Sequence, residues 1–415
     1  MRKRALFSLL VPFLAVILIA GLCPVAGAAD IKIGGIMDTT GATSDVGKDY
    51  ALGMDEAFKW INEQGGVNGK KIKYTWFDYG YRIPEAITKY KLLKRLGSIV
   101  IMGWGTGDTE ALSPTVNKDK LPYVSASYSA HLTNPAKTPY NLFFSSDYST
   151  NARAALTAWF DKKWPGKPGF KENRKPRFAA VYMFASPYCS APIKAIKDQA
   201  TMLGFEIGPD QDVSLFALDT KSQVMALKEF KPDVCWHGNT TMSVSATLRD
   251  AYGLGLGADW IVNNWGYDEN LPRLAGEAAE GVMGATPIAF YGQNYKNMDI
   301  VVAAAKKYNP GVPQEKRLIR TPQAWGDALV TWEALKRADK AGDLTGDGIM
   351  KKGFETLSLF DIGLGASPIT FTATDHRPTT GCLIQEWKGG KFQEVERVDL
   401  KQRWPEKWAK EWLGW

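Results

Sequence analysis

Apolar residues along this chain switch repeatedly between two periods. Short β-branched or aromatic runs, Ile31–Met37, Ile72–Asp78 and Ile99–Met102, are separated by Val46–Glu63 and Glu85–Leu96, where apolar positions recur every three or four residues. The first pattern suits buried strands and the second amphipathic helices. In Val46–Glu63 the residues Tyr50, Met54, Ala57, Phe58 and Ile61 share one face, and Gly65-Gly66 stops the helix. The rhythm restarts after Ser145: helix Thr150–Phe160, strand Phe178–Met183, helix Ala191–Leu203, strand Gly208–Leu215, helix Ser222–Phe230, strand Val234–Trp236, helix Met242–Tyr252 and strand Trp260–Val262. Such alternation builds βαβ units. It predicts an α/β protein of two Rossmann-like lobes with parallel-sheet cores, closely coupled because the boundary near Phe144–Thr150 has no Pro/Gly-rich linker. A late segment, Asn297–Gly365, returns to long helices that complete one lobe. Lys162–Arg177, with seven basic residues, one acid and three prolines, reads as an exposed loop.

The first residues read differently. Arg2, Lys3 and Arg4 precede an uncharged stretch from Ala5 to Ala29, apolar at Leu9–Ile19, with the small-residue exit Ala26-Gly27-Ala28. This is the pattern of a cleaved secretory signal, residues 1–28, rather than a membrane anchor, since Pro12 and Pro24 interrupt it. Cleavage near Ala28 takes away three basic groups and no acid, so the formal charge falls from +7 to +4. That is too mild a charge to imply nucleic acid. The remaining Cys189, Cys235 and Cys382 are odd in number, so at most one disulfide can form and cysteine is not the framework. A secreted, soluble, monomeric protein of the periplasm is expected.

Catalytic patterns are missing. His131, His237 and His376 lie far apart with no second ligand at metal spacing, and neither a G-x-S-x-G elbow nor a complete dinucleotide or P-loop fingerprint occurs. Asp343, Thr345, Asp347 and Gly348 imitate a calcium loop, but its twelfth position is Phe354. A helix from about Ile349 to Leu357, capped by Thr345 or Asp347, is the simpler reading. The expectation is therefore no enzyme, no metal and no cofactor.

Three segments carry a family resemblance: Ile31-Lys32-Ile33-Gly34-Gly35, the helix end Trp60-Ile61-Asn62-Glu63-Gln64-Gly65-Gly66-Val67-Asn68-Gly69-Lys70-Lys71-Ile72, and Leu274-Ala275-Gly276-Glu277-Ala278-Ala279-Glu280-Gly281-Val282. With them the chain resembles branched-chain amino-acid (Leu/Ile/Val type) substrate-binding proteins of ABC importers. The resemblance implies a type I periplasmic binding protein, two lobes joined by three crossovers and closing on a small ligand. The lobes would be 29–146 with 286–368 and 147–285 with 369–415. It also implies capture of an amino acid or related small carboxylate for a membrane permease. A ligand-sensing subunit docking to a membrane receptor would use the same trap, and an importer component for aromatic carboxylates lacking an amine is a further alternative.

By the same resemblance, the loop Gly103–Thr109, with Trp104, Thr106 and Asp108, and the loop after Pro122–Val124, with Ser127, Tyr128 and Ser129, hold a ligand carboxylate through hydroxyls and helix amides. From the second lobe come Tyr188, Asn239, Asn264 and Trp265. The chain departs from the family at Asn264, where an acid normally pairs with the ligand's ammonium. Either Asp108 or Asp268 replaces that acid, or the ligand has no ammonium. Trp104, Tyr128, Tyr188, Trp265 and Tyr267 on cleft loops would give apolar contact. Gly80 and Gly105 stand where the family's first-lobe cysteines align, which predicts open space beside Thr106. At the C-terminus Trp404, Trp408, Trp412 and Trp415 fall on one helical face, expected to pack on the core.

Overall fold

The computed structural model describes residues 29–415. The expected secretory signal, residues 1–28, lies outside the described residues. The first lobe is built on a parallel sheet of β1 (Ile31–Met37), β2 (Ile72–Asp78), β3 (Val100–Gly103), β4 (Tyr123–Ser125) and β5 (Asn141–Leu142), in the order β2-β1-β3-β4-β5. The pairing Ile31↔Ile72 through Met37↔Asp78 fixes its register, with Ile33↔Val100 on the other side of β1. Helices α1 (Ser44–Glu63), α2 (Ile83–Arg95) and α3 (Thr106–Asp119) make the crossovers that parallel strands require.

After α4 (Tyr148–Lys162) a second sheet forms from β6 (Arg177–Tyr182), β7 (Glu206–Ile207), β8 (Gln211–Asp212), β9 (Val234–His237), β10 (Asp259–Val262), β11 (Met283–Thr286), β12 (Gly381–Lys388) and β13 (Lys391–Asp399). Its order is β13-β12-β11-β10-β9-β6-β7, with β8 also on the free side of β6. Strands β6 to β11 run parallel, and β12 and β13 close the edge as an antiparallel hairpin. Its turn, Gly389-Gly390, needs φ of 57° and 79°, which glycine adopts without strain. The sequence reading assigned no strands there. It also joined Gly208–Leu215 into one strand, which the structure resolves into β7 and β8. Pro209 lacks an amide for the ladder, and a Cβ at Gly208 would sit 2.4 Å from the Phe230 ring.

Between β11 and β12 the chain returns to the first lobe. Helix Arg320–Lys340 lies along α1, so close at Gly53 that a Cβ there would stand 2.8 Å from Thr321 O. Trp60 packs on Trp325 and Trp332 at centroid distances of 5.5 and 5.8 Å. Thr345 caps the next turn by accepting from Gly348 N at 3.1 Å. Beyond it the expected single helix becomes a π turn, Ile349–Gly353, followed by a 3-10 turn, Phe354–Thr356.

Two further readings are refined. Lys162–Arg177 is pinned rather than free: Trp164 is buried against Trp159, Lys167 pairs with Asp259 at 2.7 Å, and Arg174 pairs with Asp233 through both terminal nitrogens. The C-terminal tryptophans do pack inward, with Trp408 under the Arg377 guanidinium at 3.9 Å and Trp412 under Arg153 at 4.4 Å. Pro405 splits the expected helix into Leu400–Arg403 and Pro405–Lys410. Cys189, Cys235 and Cys382 are all buried and free.

Arg317, entirely out of water, fastens the long helix to α1. Its guanidinium reaches Glu56 Oε1 and, at 3.2 Å, Asp49 Oδ1. Asp49 Oδ2 accepts from the amides of Leu318 and Thr321 and from the Thr321 hydroxyl. Removing the arginine strands two buried carboxylates, so Arg317→Met is expected to cost about 3–5 kcal/mol in urea unfolding. Adding Glu56→Gln to that variant is expected to recover part of the loss.

Candidate functional site

In the first sheet the strand order reverses between β1 and β3, and in the second between β6 and β9. Loops leaving the carboxyl ends of neighbouring strands diverge at such a point and leave a crevice. Here the two crevices face each other around a small cavity of about 20 Å³. Thr43 and Val46 after β1, Tyr81 after β2, Trp104, Gly105 and Thr106 after β3, and Ala126 after β4 form one wall. Tyr148 of α4, Tyr188 after β6, Thr240 after β9 and Trp265 after β10 form the other.

The aromatic wall is locked by its own polar tips. Trp104 Nε1 donates to Thr43 Oγ1 at 2.8 Å, Trp265 Nε1 to Tyr148 OH at 2.9 Å, and Tyr188 OH to Asn263 Oδ1 at 3.3 Å. Trp104 meets Trp265 edge-on across the cleft, centroids 5.0 Å apart. Behind Trp265 lies Tyr128, stacked at 5.7 Å, and the Arg320 guanidinium sits 4.9 Å from the indole. What remains open to the cavity is mostly ring face.

Opposite the rings, α3 starts at Thr106, and Thr109 N is the first of its amides to reach a backbone carbonyl, Gly105 O at 3.1 Å. Of the amides before it, that of Asp108 lies on its own carboxylate, and those of Thr106 and Gly107 remain donors with the helix dipole behind them. Ser127 Oγ donates to Thr106 Oγ1 at 2.9 Å and holds that hydroxyl in place. Thr240 Oγ1 is buried beside the Asp45 carboxyl.

Of the residues expected at the site, Trp104, Thr106, Tyr188 and Trp265 line the cavity. Ser127 and Tyr128 stand one layer behind it. Ser129 turns away to donate to Glu110 Oε1 at 2.7 Å. Asn239 is consumed by the fold, accepting from Met183 N and donating to Val213 O and Ser243 Oγ. Asn264 is buried outside the cavity lining, neither side-chain polar atom having a partner. Asp108 points into its own lobe, where Tyr79 OH donates to Oδ1 at 2.7 Å and burial pushes its carboxyl up to about 7. Tyr267 is interior to the second lobe, donating to Val282 O and packing edge-on against Phe392.

The space expected beside Thr106 is filled. A Cβ on Gly105 would meet Asp108 Oδ1 at 2.3 Å, Tyr79 OH at 2.5 Å and Tyr81 Cε2 at 2.6 Å. Sequence reading missed Thr43, Val46, Tyr81, Ala126, Tyr148 and Thr240. Thr240 was within reach, since it directly follows Asn239 at the end of a recognised strand. Tyr81 was not, because its ring is aimed by left-handed backbone at Gly80 and Tyr81, φ 60° and 57°.

Charged contacts surround the cavity without entering it. Asp268 accepts from Arg320 Nη2 at 3.1 Å, from Thr241 Oγ1 at 2.7 Å and from Asn270 N at 3.0 Å. At the rim, Asp45 of α1 accepts from Met242 N across the cleft at 3.3 Å. Burial, reinforced by the charge of Asp268, pushes the Asp45 carboxyl up to about 6.

Comparison with known proteins adds a family and a fold. The periplasmic binding protein family model matches residues 30–391. A substrate-binding protein of an ABC transporter from Aeropyrum pernix is 32% identical, with TM-score 0.80 over 90% of this chain and 96% of its own. A branched-chain amino acid ABC transporter protein from Thermus thermophilus, with bound valine, is 23% identical at TM-score 0.82, covering 91% of this chain and 100% of its own. A fatty acid ABC transporter substrate-binding protein from Thermomonospora curvata is 22% identical at TM-score 0.79, covering 93% and 96%.

The Tyr79–Asp108 shelf makes Gly105 sterically obligatory although its φ of −81° suits any residue. Gly105→Ala is expected to lower unfolding stability by about 1–3 kcal/mol, the usual range for overpacking, as measured by urea denaturation.

Proposed function

The chain belongs to the periplasmic binding protein family, and we propose that it is the secreted solute-binding component of an ABC importer. In this reading it captures an amino acid of branched-chain type, or a related small carboxylate, between two closing lobes, 29–146 with 286–368 and 147–285 with 369–415. It then presents the captured solute to a membrane permease, as a monomer in the periplasm. The observation that carries the reading is the cavity shared between the lobes, with free α3 amides beside Thr106 on one side and Trp265 and Tyr188 on the other. An anion at the amides and an apolar body against the rings would join the two walls, so binding would favour closure.

The role is binding rather than turnover. The cavity walls carry hydroxyls and rings but no nucleophile paired with a base among the described residues. Cys189, next to the lining residue Tyr188, is buried and its thiol is pushed up to about 12 by that burial, far from the thiolate a nucleophile needs.

The direct test is thermal unfolding of the purified protein with amino acids and small carboxylic acids. A ligand at a hundred times its dissociation constant is expected to add about 2.7 kcal/mol of stability. Absence of a shift with every such compound would remove the reading. Thr106→Ala is expected to weaken a carboxylate ligand by about 1–3 kcal/mol with folding nearly unchanged, measured by calorimetric titration.

Closure is also expected to depend on pH through Asp45. Open lobes return its carboxyl to water near 3.8, whereas the closed cleft holds it near 6. The closed form therefore binds the proton more tightly, and its advantage is complete below about pH 4 and lost as pH rises through about 6. Affinity is expected to rise about tenfold from pH 7 to pH 5, and Asp45→Asn is expected to flatten that slope.

A further inference from the structure

We infer that Trp104 sets the size of the solute: its indole stands where a longer solute would place its side chain, so that the cleft encloses only a carboxylate or amino acid of a few non-hydrogen atoms. The inference rests on the solute-binding reading and narrows it. Its first support is volume. The cavity between the lobes holds about 20 Å³, against about 10–15 Å³ for a single water. Aromatic rings take up the rest of the space. Trp104 comes from the first lobe and Trp265 from the second, both only 4% exposed, and they meet edge-on with centroids 5.0 Å apart. Tyr50 of α1 closes a third side, 5.0 Å from Trp104 and 6.2 Å from Trp265. A leucine or phenylalanine side chain would need the volume that these rings already fill.

The second support is rigidity. The backbone on either side of Trp104 is packed so tightly that only glycine fits: a Cβ on Gly103 would stand 2.0 Å from the Tyr123 ring, and one on Gly105 2.3 Å from Asp108 Oδ1. The turn that carries Trp104 therefore has no room to shift. The indole itself is held as well. Its Nε1 donates to Thr43 Oγ1 at 2.8 Å, and the Thr43 hydroxyl donates in turn to Asp38 Oδ2 at 2.7 Å. The bare face of Gly47 on α1 seats the ring, since a Cβ there would stand 3.3 Å from Trp104 Cζ2. A pocket with fixed walls is selective, because one methylene more or less in a fitted apolar site changes recognition by about 10–200-fold. Trp265 has a different part. It is tied to Tyr148 and lies against Arg320, whose charge answers Asp268, so it belongs to the joint between the lobes. The side-chain bond of Trp104 runs to a neutral hydroxyl, and removing its indole strands no charge.

The test is calorimetric titration of the purified protein with two series that keep the head group and grow in size: glycine, alanine, leucine and phenylalanine, and acetate, propanoate and 4-methylpentanoate. The short members are expected to bind most tightly, with the step from alanine to leucine, or from propanoate to 4-methylpentanoate, weakening binding at least about tenfold. Trp104→Ala is expected to reverse that order. Trp104→Phe, which keeps a ring and loses the bond to Thr43, is expected to retain it. Circular dichroism of each variant separates a change in binding from a loss of folding. Leucine or 4-methylpentanoate binding to the unaltered protein at least as tightly as its shorter partner would overturn the inference while leaving solute capture intact, a comparison that depends on no variant. An unchanged order in a folded Trp104→Ala would overturn the role of Trp104. Silence of both series would remove the solute-binding reading together with the inference.

Discussion

Arg320 and Asp268 meet out of water where the long helix of the first lobe reaches the second, and the character of the cleft follows from that pair. Two buried ions are tolerated only when each has its hydrogen bonds. Asp268 takes the Thr241 hydroxyl and the Asn270 amide as well, and Arg320 gives a second bond to Gln323 Oε1 at 2.7 Å. The guanidinium then lies 4.9 Å from the Trp265 ring, so the charge that holds the lobes together also positions the largest ring of the second wall. An acid that could have served a cation in the cleft is spent on structure. With Asp268 committed to Arg320, Asp45 is the acid left at the rim, facing the Met242 amide of the opposite lobe.

A neutral wall would be soft if its rings were held only by packing. Here Trp104, Trp265, Tyr148 and Tyr188 are each fixed at two points, by ring contacts and by a hydrogen bond at the polar tip. Tyr148 illustrates the economy: its hydroxyl accepts from Trp265 Nε1 while its ring packs on both Tyr128 and Tyr188 at 5.7 Å. Such rings lose little freedom when a solute arrives, which favours binding by a preformed surface. The same tying explains why aromatic residues on loops were hard to sort from sequence. Tyr267 and Trp265 stand two positions apart, yet one fills the second lobe's interior and the other the cleft, because the short turn Asn264–Gly266 between them redirects the chain.

The lobes were legible because parallel strands buried on both faces leave continuous apolar runs, and Ile31–Met37 and Ile72–Asp78 appear in the structure with the bounds their pattern predicted. The hairpin Gly381–Asp399 was not, since β13 is half polar and sits at an edge, with neither run nor clean alternation. At the site, Thr106 and Trp265 could be placed by their position after recognised strands. Asn239 could not be excluded the same way. Whether a side chain at a strand's end points into the cleft or back into its own loop depends on bonds to Met183 and Val213, distant segments that no local pattern reports. Asp108 failed for a similar reason, its direction being set by Tyr79 on the loop after β2.

The treatment of helix starts gives the cleft its polarity. Asp147 takes the Thr150 amide at the head of α4, Asp49 takes Thr321 N at the head of the long helix, and Asp45 takes Met242 N across the cleft. Each carboxylate lies on free amides and on the positive end of a helix dipole, as electrostatics favours. At α3 the first-turn acid is Asp108, held under Gly105 by the Tyr79 hydroxyl, and Thr106 stands at the cavity with no side chain capping the helix start. Where the chain supplies its own anion, the helix start is closed to a visitor; where it leaves amides free, the proposed reading places an external carboxylate. In that reading the rings take the apolar body, and the start of α3 sets the direction in which the charged end points.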